Sequence, residues 1–424
     1  MNFSTLPNLI ALAILVVVFW AISRKTICEQ VHLWLIGWVL VLVHFAAQFA
    51  AAASGVRGVV ATSVSLDSLI LAGVAFLISV SAIVSNRRSK VFLALAIAVP
   101  ALAYSNGAIW GVGYQSFYYC LIAVGMLAPL VVLWRSRQRG GLYAAGVVMA
   151  ALAAGVTSWG VAHGNPDIGI TVILAALNFT AAILYWNHHK RPTAGVLTAV
   201  SGFVLWGAVF PTAALLQLFA PSVKVESEVW NIPKYLVAVG MILTLLEDQI
   251  ERSTYLAYHD ELTDLPNRRL LEDRLDQALA QANRAESKVG VFVLDLDHFK
   301  EVNDTFGHRV GDIALREVVA RLGSRLRASD TLARSGGDEF TVVSQVDNAE
   351  GAQVLLLALE SALCDPILVE GKQVRTGLSI GLALYPDDGS NPDQLHAAAD
   401  RAMYAAKRAS RPSDAVGAMP QTSF

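Results

Sequence analysis

Cysteine is scarce in this sequence. Its three cysteines, Cys28, Cys120 and Cys364, lie far apart and follow no metal-ligand spacing, so neither a disulfide framework nor a zinc site is indicated. A basic stripe with interleaved aromatic residues is also lacking, and the formal net charge is only -2, so we expect no polymeric nucleic acid as a partner. The first apolar run has no basic segment before it and no small-residue cleavage site after it, which predicts a retained span rather than a secretion signal.

Apolar residues, by contrast, are abundant and unevenly distributed. They make up 55% of the 424 residues, too many for an ordinary soluble protein of this size. Residues 1–246 form long apolar runs broken by short polar clusters, whereas the composition from residue 247 onward is that of a globular domain. We therefore predict a transmembrane domain of sensory type at 1–246, a helical signalling linker at 247–258, one soluble domain at 259–411 and a disordered tail at 412–424.

The first half predicts an all-α polytopic membrane domain. A bilayer core of about 30 Å needs about 20 apolar residues in a helix, and nine segments come near that length. We place them at 6–23, 32–54, 65–85, 91–106, 116–134, 141–162, 168–187, 194–219 and 229–246.

Lysine and arginine predict the orientation of these spans. They cluster after the first, third, fifth and seventh segments, at residues 24–25, 87–90, 135–139 and 190–191. Short loops rich in these residues stay cytoplasmic, so we expect the N-terminus outside and the soluble domain in the cytoplasm.

Polar residues within the spans, such as His44, Gln48, Asn178 and Lys234, fit either a sensing site or hydrogen bonding between helices. We favour the second interpretation.

The soluble domain alternates helical and strand patterns. Helices are predicted at 267–285, 313–326, 349–364 and 392–409, and strands at 289–294, 367–370 and 374–385, with a hairpin around Gly336 and Gly337. This interleaving predicts an α/β or α+β fold with one central sheet covered by helices.

Two pairs of carboxylates carry the chemistry. Asp295 and Asp297 end a buried strand on one face, and Asp338 and Glu339 follow two glycines and open another strand. Strand-end aspartates also serve as helix caps. Carboxylates at neighbouring strand ends suit Mg²⁺ bound together with substrate phosphates, as in two-metal phosphoryl transfer.

The motifs around these residues resemble the GGDEF family of diguanylate cyclases. The segment Arg334–Phe340 matches the family signature, and further motifs follow in family order at 260–269, 295–300, 303–308, 311–312 and 399–407. The resemblance covers about residues 255–411 and implies a nucleotidyl-cyclase or palm-like central sheet. The resemblance implies condensation of two GTP into cyclic di-GMP. Together with the predicted spans, it leads us to expect a multi-pass protein of the bacterial cytoplasmic (inner) membrane, embedded in the lipid bilayer.

The resemblance implies a role for each matching residue. Asp295, the Leu296 carbonyl, Asp338 and Glu339 would hold Mg²⁺, with Mn²⁺ as an alternative ion; Asp338, assisted by Glu339, would be catalytic. Guanine would be read by Asn303 and Asp312, and His308 would lie beside the nucleotide. Further substrate contacts are implied for His298, Phe299, Lys300, Gly336, Gly337, Lys407 and Arg411. Because each domain would bind one GTP, a homodimer is expected.

Arg327 and Asp330 occupy the position of the family's RxxD site, which implies allosteric inhibition by the product. Two departures from the family pattern stand out: Asp264 replaces the usual glycine of the first motif, and Ser410 and Pro412 replace a glycine and an asparagine beside Arg411. We expect no phosphodiesterase domain, because few residues follow Arg411.

Two alternatives remain: a catalytically silent membrane receptor that binds cyclic di-GMP or GTP, and a transporter whose main activity lies in the first half.

Overall fold

The computed structural model describes residues 6–24, 28–50, 55–80, 86–136, 141–189, 191–220, 222–223 and 227–410, without the side chains of 128–136, 141–145, 227–228 and 410. Arg411 and the predicted tail lie outside the described residues. The chain divides into two compact units between Gln249 and Ile250.

The first unit is helical in all of its described secondary structure. Its helices are α1 Leu6–Ser23, α2 Glu29–Ala50, α3 Val56–Ser79, α4 Arg87–Ile109, α5 Gln115–Ser136, α6 Gly141–Ala162, α7 Asp167–His189, α8 Ala194–Phe219 and α9 Ser227–Tyr258. Among the described residues, seven of them (α1 to α4 and α7 to α9) are long and apolar enough to cross a membrane. In α5 and α6 the described apolar parts are shorter, Gln115–Leu127 and Gly146–Ala162. The count of nine spans and their orientation stay predictions.

Several of the predicted spans have different limits in the structure; the second, predicted at 32–54, is the helix Glu29–Ala50. The third helix begins at Val56 and ends at Ser79, nine residues before the predicted start and six before the predicted end. The fourth continues through Pro100 and is longer than predicted. Proline inside a helix removes one hydrogen bond and crowds the carbonyl four residues earlier. Helices packed against neighbours in a membrane tolerate this, and α4 continues to Ile109.

Aromatic side chains fill the core of this unit. Trp38 stacks on Phe19 and on Trp206, with ring centroids 6.0 and 6.4 Å apart. Small residues bring α8 and α9 into backbone contact, since a Cβ on Gly240 would lie 2.2 Å from the Ala199 nitrogen. Such close approach is typical of helices packed in membranes.

Two of the polar side chains named in the predicted spans, His44 and Lys234, are buried and have partners within the bundle. His44 Nδ1 lies 2.9 Å from both the carbonyl oxygen and the hydroxyl of Ser65. The Lys234 ammonium donates to Asn231 at 2.8 Å and lies 3.6 Å from the centre of the Phe45 ring. These contacts fit the interpretation that such residues serve helix packing.

The second unit is built on an antiparallel sheet. Its strands are β1 Lys288–Asp297, β2 Thr331–Arg334, β3 Glu339–Val346, β4 Ile367–Val369, β5 Lys372–Val374 and β6 Gly377–Tyr385. The main sheet has the order β2-β3-β1-β6, and β4 and β5 form a separate hairpin. Its helices are α10 Arg268–Ala285, α11 Phe299–Phe306, α12 His308–Gly323, α13 Ala349–Ser361 and α14 Pro392–Ser410. This is the α/β fold that was predicted.

Strand β1 separates the two layers of the domain core. Phe292, Leu294 and Leu296 face one way, into a core with α11, α12 and α13. Val289, Val291 and Val293 face the other way, toward α10 and α14. Because successive strand side chains alternate between faces, this pattern extends to the strand end and determines the face on which Asp295 lies.

Three expectations about this unit need correction. The predicted strand at 374–385 is divided, because Val374 ends β5 while β6 begins at Gly377. Strand β5 pairs with β4 through a two-residue hairpin turn at Glu370 and Gly371, whose φ angles are 50° and 78°. The helix predicted at 313–326 is α12, which begins earlier, at His308. It is preceded by α11, which was not predicted, and Gly307 with φ 85° lies between the two helices. The helix predicted at 349–364 ends at Ser361.

Candidate active site

The carboxylates predicted to hold metal lie at the end of β1 and the start of β3. Asp295 pairs directly with Glu339 across the two antiparallel strands, and residues opposite each other share a face of the sheet. The Leu296 N–H donates to the Asp338 carbonyl oxygen at 3.2 Å. The structure therefore brings Asp295, Leu296, Asp338 and Glu339 together, while their catalytic roles stay predictions.

Lys407 reaches this site from α14. Its ammonium forms an ion pair with Oδ1 of Asp295. The Asp295 side chain is 10% exposed and that of Lys407 29% exposed, so the pair is shielded from water. The lysine that the resemblance places on a nucleotide phosphate thus contacts a predicted metal ligand in this structure.

The turn between β2 and β3 carries the two signature glycines. The N–H groups of Ser335 and Gly336 both donate to the Glu339 carbonyl, at 3.1 and 3.3 Å, and close the turn. A Cβ on Gly336 would lie 2.9 Å from the Glu339 carboxylate, whereas one on Gly337 would meet open space. A side chain at 336 would therefore displace the Glu339 carboxylate from its present position, and Gly337 leaves its side of the turn open to a ligand.

Arg334 joins this turn to the first family motif. Its guanidinium donates to the Gly337 carbonyl from Nη2 at 2.6 Å and from Nε at 3.2 Å, and to Asp260 Oδ1 from Nη1 at 2.7 Å. The rigid fork of arginine suits such a three-bond contact. The carbonyl that is held immediately precedes Asp338, so Arg334 positions the turn that carries the two signature glycines.

Asp260 is the other half of this contact. Partial burial alone would raise its pKa, but hydrogen bonds from Thr263 and Arg334 outweigh that effect and hold the pKa of the carboxyl below its ordinary value. The Thr263 N–H and hydroxyl donate to the same oxygen at 2.9 and 2.6 Å. Asp260 follows the end of α9 by two residues, so the contact links the end of this long helix to the turn.

The predicted guanine-binding residues lie on α11 and α12. Asn303 is half-buried on α11, and Asp312 and His308 are exposed on α12. A Cβ on Gly311 would lie 1.9 Å from the Asn303 side-chain oxygen, so only glycine at 311 lets this amide lie against α12 beside Asp312. An amide next to a carboxylate matches the mixed donor and acceptor edge of guanine.

The predicted phosphate contacts surround the beginning of α11. His298 has φ 57°, caps the helix, and pairs through Nδ1 with Glu301 at 2.7 Å. Phe299 is buried and anchors the helix, and Lys300 is exposed. The first N–H groups of a helix have no partner within it and favour anions, which agrees with phosphate binding here.

The predicted inhibitory residues form a turn before β2. The two oxygens of Asp330 accept from the Arg327 N–H and from the Ser344 hydroxyl, each at 2.8 Å. The Arg327 side chain is exposed. The RxxD turn and the signature turn lie at opposite ends of β2.

The residues of this site fit a magnesium ion held together with substrate. Among the described residues, no three His, Cys, Asp or Glu side chains form a ready metal cage. Mg²⁺ is commonly bound by one or two carboxylates, with water and substrate phosphates completing its shell. Asp295 with the residues at 338 and 339 provides such an incomplete set of hard oxygen ligands.

Comparison with known proteins agrees with the motifs. Residues 257–413 match the family model described as "Diguanylate cyclase, GGDEF domain". Bifunctional diguanylate cyclase/cyclic di-GMP phosphodiesterase MucR of Pseudomonas aeruginosa is 32% identical over 327 residues, covering 70% of this chain and 44% of that protein. Diguanylate cyclase TpbB of the same species is 43% identical over 169 residues, covering 39% of each chain. The chain thus spans less than half the length of these relatives.

A solved structure of the TpbB GGDEF domain is 42% identical, covers 36% of this chain and 90% of its own, and has a TM-score of 0.35. The family assignment made from the motifs is confirmed: this chain carries a GGDEF domain of the diguanylate cyclase class. The similarity to MucR covers more of the chain than the GGDEF domain and so includes part of the helical unit.

Three residues that position the site were given no role from the sequence. They are Arg334, its partner Asp260, and Gly311, all of which lie inside recognised motifs. The contact between Arg334 and Asp260 joins residues 74 positions apart, so no local spacing signals it. Gly311 stands at a helical position where alanine is preferred, and that mismatch is a signal for close packing.

Proposed function

We propose that this chain is a membrane-bound diguanylate cyclase that condenses two GTP into cyclic di-GMP and two pyrophosphates. The observation that carries the proposal is the meeting of Asp295 with Glu339, beside Asp338, at adjoining strand ends. Its further parts are a homodimer in the bacterial inner membrane, a requirement for Mg²⁺ or Mn²⁺, and regulation by the membrane unit. The span pattern and the family membership support these parts.

The residues of the site suggest how the reaction proceeds. Asn303 and Asp312 orient guanine, while Lys300, Lys407 and the beginning of α11 hold the phosphates. Asp338 accepts the proton of the ribose 3'-hydroxyl, whose oxygen bonds to the α-phosphorus of the GTP in the facing domain as pyrophosphate leaves. Bound to Asp295, Leu296, Asp338 and Glu339, the ion would supply positive charge beside the reacting phosphates.

The test uses the full chain purified in detergent or lipid nanodiscs. With GTP and Mg²⁺ we expect cyclic di-GMP, measured by chromatography, and we expect Asp338→Ala to reduce the rate by at least about a thousandfold, as loss of a central catalytic group does. Asp347→Ala, an exposed carboxylate after the other end of β3, is the matched control and should retain activity. Folded dimers that bind cyclic di-GMP and make none would instead establish a silent receptor.

Product inhibition is proposed for the turn formed by Arg327 and Asp330. Because both oxygens of Asp330 are already engaged within the domain, the exposed Arg327 guanidinium is the group that can bind a product phosphate. Arg327→Ala should raise the product concentration needed for half inhibition by about tenfold, the effect of one charged hydrogen bond. Arg325→Ala, also exposed, is the control. Equal inhibition of both variants would refute this assignment.

A further inference from the structure

Lys407 and Asp295 form an ion pair with each other, although the proposed function gives each of them a different binding partner. Under the proposed function, Asp295 holds a divalent cation and Lys407 holds a nucleotide phosphate. In the structure the ammonium contacts the carboxylate directly, and the carboxylate is almost fully buried. A cation of the chain itself therefore occupies the coordination space of a predicted metal ligand.

The packing of α14 on β6 holds the backbone of Lys407 in place. A Cβ on Gly381 of β6 would lie 2.0 Å from the Ala399 carbonyl and 2.2 Å from the Met403 nitrogen, so helix and strand are in backbone contact. Met403 and Ala399 are buried in the same layer. Lys407 lies one helical turn beyond Met403, and its flexible four-carbon stem can redirect the charge while the helix stays in place.

The electrostatics of Asp295 explain why a substitute cation is needed. An ionised carboxylate removed from water is costly unless a partner compensates its charge. Lys407 provides that compensation when no metal is bound. A divalent ion that approaches the same carboxylate is repelled by the ammonium, so it binds well only when a negatively charged group draws Lys407 away.

We propose that Lys407 is an internal counter-cation that Asp295 exchanges for a metal ion when nucleotide binds. The inference rests on the proposed function, because it needs nucleotide phosphates as the second partner of Lys407. The exchange makes metal and nucleotide binding mutually dependent: the free ion binds weakly, and the ion that arrives with GTP binds tightly. The ion pair thus keeps the metal site closed until substrate is present.

The test measures metal binding without nucleotide. The full chain is titrated with Mn²⁺ alone, and free Mn²⁺ is followed by its electron paramagnetic resonance signal. Lys407→Met removes the charge and shortens the side chain by only one atom, so the dissociation constant should fall by about tenfold or more, as expected for the loss of a like charge in contact with the site. Lys407→Gln, which can still donate a hydrogen bond to Asp295, should shift it in the same direction.

Two further variants separate this effect from general electrostatics. Arg408→Met removes the same charge from an exposed neighbour on α14 and should change the dissociation constant by less than about threefold, because exposed charges are screened. Asp295→Asn combined with Lys407→Met should abolish the gain, which shows that the ion binds at Asp295. The metal-free melting temperature should also fall in Lys407→Met and recover on addition of Mn²⁺.

A dissociation constant for Lys407→Met within the range of the Arg408 control would overturn the inference. That result together with cyclic di-GMP synthesis by the wild type would leave the proposed function intact. Tighter Mn²⁺ binding by Lys407→Met, in a protein whose wild type makes no cyclic di-GMP, would support the exchange at Asp295 and contradict the proposed function. The two proposals can therefore be refuted independently.

Discussion

Asp264 shows how one residue can depart from a family pattern and still fit the fold. It has φ 61°, in the left-handed region that glycine adopts freely and aspartate tolerates better than most residues. The Tyr255 hydroxyl donates to its carboxylate at 2.6 Å, and this hydrogen bond raises the pKa of Tyr255. The contact explains how an aspartate is accommodated where the family usually has glycine.

A pair of substitutions tests this account. Asp264→Ala should destabilise the soluble unit by about 1 kcal/mol, because alanine has neither the conformational freedom nor the local hydrogen bond. Asp264→Gly should stay within about 0.5 kcal/mol of the wild type, since the relaxed backbone offsets the lost contact. Pulse proteolysis of the intact chain in urea, followed through a C-terminal tag, measures both. Equal stability of the two variants would contradict a role for the positive φ.

Site residues that lie within a local motif could be predicted from the sequence, whereas contacts between distant residues could not. Asp295, Asn303 and Asp338 were predicted because each lies in a motif whose chemistry is local. The engagement of Lys407 with Asp295 was not predicted, since the two residues are 112 positions apart and meet only through the packing of α14 on β6. Arg411, predicted in the same helix region, lies outside the described residues.

At the scale of elements, the contact between Arg334 and Asp260 connects the end of α9 to the signature turn. The Asn267 N–H donates to the Tyr258 carbonyl and the Arg334 N–H to the Pro266 carbonyl, both at 2.9 Å. The segment between α9 and α10 is thereby bonded to β2 through its backbone as well as through the ion pair. Movement of this segment relative to β2 would strain the carbonyl group that precedes Asp338.

The pH dependence of this contact has a definite sign. The pKa of Asp260 is lower in the folded chain than its ordinary value of 3.8, so the contact stabilises fully above that value and is lost as pH falls through the lower, folded pKa. Asp260→Asn should therefore weaken β2 and β3 at neutral pH and flatten their acid dependence below about pH 4. All nine tryptophans precede residue 231, so fluorescence does not report on this unit.

Amide exchange of peptides from β2 and β3, referred to the intrinsic rate at each pH, measures the effect instead. Glu261→Gln, an exposed neighbour, is the control and should leave both exchange and its pH dependence unchanged. Identical acid dependence in wild type and Asp260→Asn would show that this carboxylate does not stabilise the turn.

The bounds of helices and strands were predicted well where apolar residues recur with a single helical or strand periodicity. They were predicted poorly where the local backbone conformation ends an element. Helix α10 was predicted within one residue, because Asn267 caps it and Leu271, Leu275 and Leu279 bury one face. Strand β1 was predicted in its apolar centre, with Asp295 and Asp297 at its end, and it begins one residue earlier than predicted, at Lys288. The break between β5 and β6 lies at Arg375 and Thr376, where the Thr376 hydroxyl donates to the Asp297 carbonyl at 2.9 Å. These two residues are 79 positions apart, so the local sequence does not reveal the contact.

At the scale of the whole molecule, the proposed chemistry requires two copies of the chain. The cyclic product contains two new ester bonds, and each is formed when the 3'-oxygen of one GTP attacks the α-phosphorus of the other. If each domain activates only the hydroxyl of its own nucleotide, a dimer with one inactive domain forms one bond and stops at a linear intermediate. A closed two-fold dimer therefore needs both copies of Asp338.

Mixing active and inactive chains tests this requirement. Wild type and Asp338→Ala, coexpressed in equal amounts with different tags, should form about a quarter wild-type dimers by random pairing. Cyclic di-GMP synthesis per total chain should then fall to about that fraction, because dimers with one variant copy contribute nothing. Mixing with Asp347→Ala instead should leave the rate unchanged. A fall to only about half would mean that each chain works on its own, and dimerisation would lose its place in the mechanism.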